Sequence, residues 1–396
     1  MNTKTLLCIG AGPFQLKGIQ TAKKMGLAVV ATDGSAEAPG LRYADRAFVV
    51  DVKDIEQNLE IARSCSIDGV VTVASDVTVK TVAAIAEALQ LPGIPVSVAE
   101  RCTDKALMRQ AFVAHGVPSP TSYPVLDFST LLAVVDKIGL PVVVKPADSA
   151  GSRGVRKVTH EMELKEAYEC AIGYSQKKKV VVEDFMEGIE VSVEAFVDRG
   201  TIRIIGLSDK KRTPPPYLLD IQVTFPSRYP SLVQQRIIAV AKHAITAVGI
   251  TTGPVHMELM MTKDGPVPVE LAARGPGFKV FTDILPMISG IDLIQATIKA
   301  SLGLPPDLIP TKQLASSIKF FASPSSGRIH AITGVETARA MEGIYEMEIY
   351  VKPGDPVRTL TSGADRIGHI ISMAENAEEA EARLAQAEQA VVIELG

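Results

Sequence analysis

Long apolar runs are missing from this sequence of 396 residues. Nothing in it approaches the roughly eighteen apolar residues that a membrane-spanning helix needs. The first apolar stretch, Leu6–Ile9, follows MNTK directly and is too short for the core of a signal peptide. A cytoplasmic location is therefore expected. An excess of positive charge is missing as well: 41 Lys and Arg stand against 45 Asp and Glu, a formal net charge of −4. No broad basic field exists to gather nucleic acid or an anionic membrane. Clustered cysteines are missing too. Cys8, Cys65, Cys102 and Cys170 stand far apart with no Cys-x-x-Cys pair, which argues against a metal ribbon or a disulfide framework and for reduced thiols. Internal repeats, low-complexity tracts and any set resembling a nucleophilic triad are absent.

What remains has the composition of a globular enzyme, with 46% hydrophobic and 22% charged residues. The length suits roughly two to three domains. Residues 1–97 alternate strands (Thr5–Ile9, Ala28–Thr32, Phe48–Asp51, Gly69–Val73) with helical stretches such as Leu16–Met25 and Thr78–Leu89. The alternation predicts a parallel sheet with crossover helices, a Rossmann-like domain. Gly10-x-Gly12 begins a dinucleotide fingerprint, but Gln15 stands at its third glycine position and Pro13 has no amide to give a phosphate. An NAD-dependent dehydrogenase rests on that fragment alone. The strand ends are expected to face a small substrate, with Ser75-Asp76 either touching it or capping a helix.

The stretch Val255–Gly277, VHMELMMTKDGPVPVELAARGPG, predicts a β-hairpin. Val255–Met261 and Val267–Leu271 are the arms and Lys263-Asp264-Gly265 a three-residue loop, with Gly265 suited to positive φ. That register sets Glu258 opposite Glu270. Opposed carboxylates repel unless a cation lies between them, and hard cations such as Mg²⁺ take carboxylate and phosphate oxygens together. The pair is either a Mg²⁺ site or two solvated acids. His256 alternates onto the same face. Pro266 and Pro268 forfeit ladder hydrogen bonds, so the return arm is expected at an edge or bulged.

Upstream, Thr103 or Asp104 caps a helix running to about His115, and Lys105 sits in its first turn, the wrong end for the helix dipole. A cation there suits an anionic partner or plain solvation. Pro141–Val144 predicts a buried strand ending in Lys145, followed by Asp148–Val155, whose small residues let the backbone approach phosphate. It is not a Walker A loop, because the lysine precedes it. Glu183 and Glu190 bracket a hinge between strands. Lys210–Tyr217, KKRTPPPY, predicts a proline-stiffened loop; Lys211 and Arg212 could reach an anionic substrate, with Tyr217 as a wall. Ser317–Phe321, Gly343–Tyr350 and Val391–Leu395 predict strands of a small α+β cap.

Taken in order, Lys105, Lys145 with the Ser149–Val155 loop, Glu183…Glu190, Glu258 and Glu270 resemble the ATP-grasp superfamily over nearly the whole chain. The resemblance implies an α/β and α+β architecture: a Rossmann-like domain over 1–97, an ATP-grasp domain over 98–310 and a cap over 311–396. It implies ATP with Mg²⁺, for which Mn²⁺ can substitute. Lys105 and Lys145 would contact phosphates, and Ser149, Ser152, Gly154 and Val155 would form the lid over them. Glu183 would take the adenine amino group, with backbone of Asp184 and Met186 completing the hinge. Glu190 would hold ribose, Glu258 and Glu270 the metal. Arg274 would steady charge at the reaction centre and, with Arg212, grip the acid substrate; Tyr217, His256 and Ser75 would complete that site. The family pattern Glu-x-Asn-x-Arg reads Glu270-Leu271-Ala272-Ala273-Arg274 here, so the asparagine oxygen is lost.

The Lys210–Ser227 segment looks most like the amino-acid ligase branch. The implied reaction is an ATP-dependent carboxylate–amine ligation through an acyl phosphate, releasing ADP and phosphate. The partners are a small carboxylate and a small amine, with no nucleic acid or membrane and a homodimer as a possible assembly. A purine-pathway-type or carboxylating ATP-grasp enzyme is the alternative, and a nucleotide-binding regulator without turnover is the rival from another class.

Overall fold

The computed structural model describes residues 3–215 and 217–396. Met1, Asn2 and Pro216, the last within the PPPY run, lie outside the described residues. Strands β1 (Thr5–Ile9), β2 (Ala28–Asp33), β3 (Arg46–Val49) and β4 (Gly69–Val71) form a parallel sheet in the order β3-β2-β1-β4. Helices on both faces require apolar residues on both faces. Leu6 and Leu7, neighbours on β1, accordingly sit in two different cores. The Gly10–Gly12 turn is closed. Gln15 fills the space above both glycines and donates to the Val73 carbonyl at 2.8 Å, and Asp33 accepts from the Ala11 amide at 2.8 Å. A dinucleotide has no cradle there, which removes the dehydrogenase reading.

Strands β5 (Ser122–Val125), β6 (Val142–Pro146), β7 (Arg156–Val158) and β8 (Val180–Asp184) make an antiparallel sheet in the order β5-β8-β6-β7. Alternation decides what each face carries. Val142, Val144, Val180 and Val182 point into a core closed by the helices Phe128–Ile138 and Leu164–Tyr174. Val143, Lys145 and Glu183 point the other way, into a cavity.

That cavity rests on an eight-stranded sheet. Its strands are β9 (Ile189–Asp198), β10 (Thr201–Arg212), β11 (Asp220–Phe225), β12 (Gly253–Thr262), β13 (Gly265–Ala272) and β14 (Ala315–Ala322). A three-stranded sheet of β15 (Gly327–Thr333), β17 (Pro356–Val357) and β19 (Val392–Leu395) lies apart, while β16 (Ile344–Ile349) and β18 (Arg366–Ala374) complete the large one. The order is β13-β12-β9-β10-β11-β14-β18-β16. Below, Val191, Val193, Val255, Met257 and Leu259 bury against the helix Ser231–Val248; each such side chain contributes about 1.5–3 kcal/mol. The sheet crosses the boundary expected at residue 310, because β11 pairs with β14. No single helix among the described residues is long and apolar enough to cross a membrane.

The hairpin corrects one expectation and keeps its consequence. Thr262 pairs with Gly265, so the loop has two residues, not three. A two-residue loop alone would set Glu258 opposite Val269. A register shift between Glu258 and Leu259 leaves Val269 as the extra residue of a bulge, and Glu258 faces Glu270 after all. Gly265 does adopt positive φ, +127°. As the prolines required, β13 is both an edge strand and bulged.

Candidate active site

The cavity, about 410 Å³, lies between the two antiparallel sheets, within the size range of small-molecule sites. Its roof carries a dry ionic group. Glu183 receives Arg109 Nε and Nη2 at 2.7 and 3.2 Å, Lys145 Nζ at 2.6 Å and the Ser122 hydroxyl at 3.1 Å. These four donors use all its lone-pair directions. Burial alone would raise the Glu183 pKa, but the two cations outweigh it and hold it down to about 2. Burial lowers the Lys145 pKa, with Glu183 opposing. The expected role of Glu183 as an adenine acceptor is therefore corrected: its carboxylate is filled by protein donors, and it holds Lys145 and Arg109 in place. The Asp184 amide is also taken, by Thr121 O at 3.1 Å, whereas Asp184 Oδ1 is buried without a partner. Asp184 and Met186 both line the cavity.

Asp104 caps the helix Lys105–Ala114, accepting from the amides of Ala106 and Leu107. This fixes the first turn, so Lys105 Nζ reaches Ser149 O at 2.7 Å and Glu270 Oε1 at 3.0 Å. Arg109, one turn later, reaches Glu183 and also donates to the carbonyls of Pro268 and Val269 in the bulge. Sequence reasoning passed over Arg109, although its i+4 spacing from Lys105 was the signal. Ser149, Ser152 and Val155 line the cavity as expected. Gly154 does not: at φ +74° its missing Cβ would lie 2.9 Å from Tyr174, so it serves close packing onto the helix Leu164–Tyr174.

On the floor, Lys210 Nζ sits among Glu190, Asp220 and Glu258 at 2.9, 3.0 and 2.5 Å. Oxygens of these three carboxylates lie within 4.8 Å of one another. Burial raises the Glu190 pKa to about 7 even with Lys210 beside it, while Glu258 is held well below the carboxylate range because Lys210 and His256 outweigh its burial. Burial pulls the His256 pKa down, yet Glu194, at 2.9 Å, more than compensates and it rises to about 9. Lys210, Asp220 and Glu194 were missed. The KKR run read as a loop, but β10 continues to Arg212, and alternation puts Lys210 and Arg212 on the cavity face and Lys211 on the other, against Glu381.

Four substrate expectations change. Arg274 presents Nε and Nη2 to Asp76 at 2.9 and 2.8 Å, and Arg212 bonds Glu190 at 2.5 Å, so neither guanidinium is an open carboxylate receptor. Ser75 does not line the cavity, its carbonyl accepting from the Thr78 hydroxyl, and Asp76 is the residue that does. Tyr217 is 37% exposed and does not line the cavity, whereas Leu218 and Leu219 do. His256 lines it as the alternation required.

Three family models match consecutive stretches of the chain: an ATP-grasp N-terminal domain over residues 19–93, an ATP-grasp domain over 138–283, and L-amino acid ligase C-terminal domain 2 over 319–396. The chain is an ATP-grasp ligase. Its cofactors are ATP and Mg²⁺, or Mn²⁺ in its place. The ligase is 29% identical over 335 residues to the uncharacterized protein y4rH of Sinorhizobium fredii, spanning 84% of this chain and 69% of that one. It is 24% identical over 365 residues to the L-arginine-specific L-amino acid ligase of Bacillus subtilis, spanning 89% and 87%. The L-amino acid ligase of Bacillus licheniformis shares the fold with a TM-score of 0.85 at 23% identity, each chain covered fully.

The donor set fits the metal. Glu258 and Glu270 offer hard oxygens on one face of the hairpin. Each is already matched by a lysine, Lys210 and Lys105. Ala272 lines the same wall and adds no oxygen.

Proposed function

We propose that the ligase joins an amino acid or related carboxylate to an amine through an acyl phosphate, releasing ADP and phosphate. The observation that carries this reading is the facing pair Glu258–Glu270, each acid with its own ammonium, beneath a roof that holds Lys145 over the same cavity. Lys105, Lys145 and the Ser149–Val155 loop would bind the phosphates, and Glu190 the ribose. Glu258 and Glu270 would hold Mg²⁺, which would draw charge from the terminal phosphate oxygens.

The substrate carboxylate attacks the γ-phosphate, and the bond from that phosphorus to the ADP oxygen breaks. The amine nitrogen then attacks the acyl carbon, the carbon–oxygen bond to phosphate breaks, and the nitrogen's proton leaves with the phosphate. Protein contributes position and charge, not a covalent partner. With a pKa near 9, His256 is cationic at neutral pH; it serves as a fixed charge between Glu194 and Glu258, not as a base. Arg274, locked to Asp76, positions the N-terminal domain against the reaction centre. Closing the loop keeps water from the acyl phosphate.

Screening amino-acid pairs for phosphate release from ATP tests the reading. ADP is expected as the nucleotide product. AMP, or bicarbonate replacing the acid, would overturn it. Formate-dependent and carboxylating purine-pathway proteins are also among the relatives, so bicarbonate and formate belong in the screen. A cytoplasmic location and a homodimer complete the proposal; light scattering of the purified protein checks the second.

A further inference from the structure

Six lysine and arginine side chains among the described residues line the cavity: Lys105, Lys145, Lys210, Arg212, Arg274 and Arg366. Five have carboxylate partners within 4.0 Å. Arg366 has none among the described residues. It enters from β18, in the C-terminal part of the chain, and its guanidinium lies 3.6 Å over the Phe320 ring. Nη2 donates to the backbone carbonyl of Asp220 at 2.8 Å, and Nε is buried with no partner. Arg366 is half-buried and its Nε wholly so; charge withdrawn from water is ordinarily paired, because an unpaired group loses its hydration for nothing. Burial accordingly lowers the pKa of Arg366, against the opposing pull of Asp220.

The surroundings say what the missing partner looks like. Phe278 and Phe320 meet edge to face at 4.5 Å beside it, and Ile318 and Val223 continue the wall. A guanidinium next to an apolar wall fits a carboxylate with an apolar substituent on the neighbouring carbon. The acid being activated must instead bring its carboxylate to the terminal phosphate, on the Glu258–Glu270 side. We propose that Arg366 is the receptor for the free carboxylate of the amine substrate, so that this substrate is itself an amino acid with an apolar side chain lying on Phe278 and Phe320. The inference rests on the ligase reading above and adds the class of the amine.

The test compares amines with and without that carboxylate. For each acid in the screen, L-leucine, L-leucinamide and hydroxylamine are offered as amines to the wild-type ligase and to Arg366→Gln and Arg366→Lys. The wild type should prefer leucine over leucinamide. In Arg366→Gln, KM for leucine relative to KM for hydroxylamine should rise by roughly 10–100-fold, the loss expected for a charge-assisted pair, and the preference over leucinamide should vanish; Arg366→Lys should restore part of it. Thermal shift by leucine and leucinamide, with ATP present, reads the same contact without turnover. A carboxylate-dependent shift lost in Arg366→Gln upholds the receptor even where no product forms, and in that case only the ligase reading fails. Hydroxamate formation with equal use of leucine by wild type and Arg366→Gln overturns the receptor and leaves the ligase reading intact. So does a drop in ATP affinity without amino acid that matches the loss for leucine, since Arg366 would then be a phosphate contact. A shift that ignores the carboxylate in the wild type overturns it as well.

Discussion

The cavity floor is one sheet with two unlike halves. From β13 to β10 it carries Glu270, Glu258, His256, Glu190, Glu194, Lys210 and Arg212, crossed by ion pairs of 2.5 to 3.0 Å. From β11 to β18, beyond Asp220 at the start of β11, which belongs with Lys210, it carries Val223, Phe225, Ile318 and Phe320, with Arg366 at the far edge. The charged half is matched to itself, so its groups are held in place, and an entering phosphate or metal exchanges for partners already there. The apolar half matches only itself in shape and leaves one cation over. Chemistry common to many substrates and choice among substrates are thus separated along a single sheet.

Breaking the charged half should have the largest effect. Glu270→Gln is expected to lower turnover by roughly a thousandfold while the fold survives, because a metal oxygen matters most in the transition state. Phosphate release at saturating Mg²⁺ checks this; a wild-type rate would mean that Glu270 is no ligand. Next comes Glu183→Gln, which strands Arg109 and Lys145 in the roof. Removing one member of a buried ionic group costs about 3–5 kcal/mol, visible as a lower denaturation midpoint; an unchanged midpoint would show that the roof is not dry.

His256 sharpens the contrast through pH. Its folded pKa, near 9, stands above the ordinary 6.5. The stabilisation from its charge is therefore complete below about pH 6.5 and is lost as pH rises through about 9. His256→Gln should remove that slope from urea denaturation measured between pH 6 and 10, and parallel curves for both proteins would refute the assignment. In the apolar half, Ile318→Ala should shift the preference among apolar amines by about tenfold, the scale of a few methylenes, as read from competing amines in one reaction. Equal preferences would place the wall outside the substrate site. The smallest effect is expected from Lys211→Ala. That side chain faces away from the cavity and is exposed beside Glu381, so stability should change by less than about 1 kcal/mol and turnover by less than twofold.

Much of this arrangement was legible in the residues. The parallel N-terminal sheet followed from strand and helix periodicity, and the Glu258–Glu270 opposition from the hairpin pattern. That opposition was reached through a three-residue loop, whereas the protein uses a shorter loop plus a bulge; one residue moved from loop to strand leaves the pairing sum unchanged. Lys210 was hidden for a related reason. A register shift between Ile204 and Gly206 changes the phase of β10, and the prolines after Arg212 made its last residues look like loop. The partners of Arg274, Arg212 and Glu183 come from distant segments, 198, 22 and 74 residues away. No local pattern reports such pairings, so guanidiniums read as open receptors prove to be already engaged.

The continuity of the large sheet across residue 310 bears on how the molecule comes apart. Cutting there would expose the edge of β11 and leave β14 paired with β18 alone, with Val223 and Phe225 bared to water beside unpaired backbone. The C-terminal segment should therefore not behave as a detachable module. Heating is expected to melt the central and C-terminal parts in one calorimetric transition, and a chain ending at 310 to aggregate at its open edge when expressed alone. Two resolved heat-absorption peaks for these parts, or a well-behaved truncated chain, would show that the shared strands do not bind them into one cooperative unit.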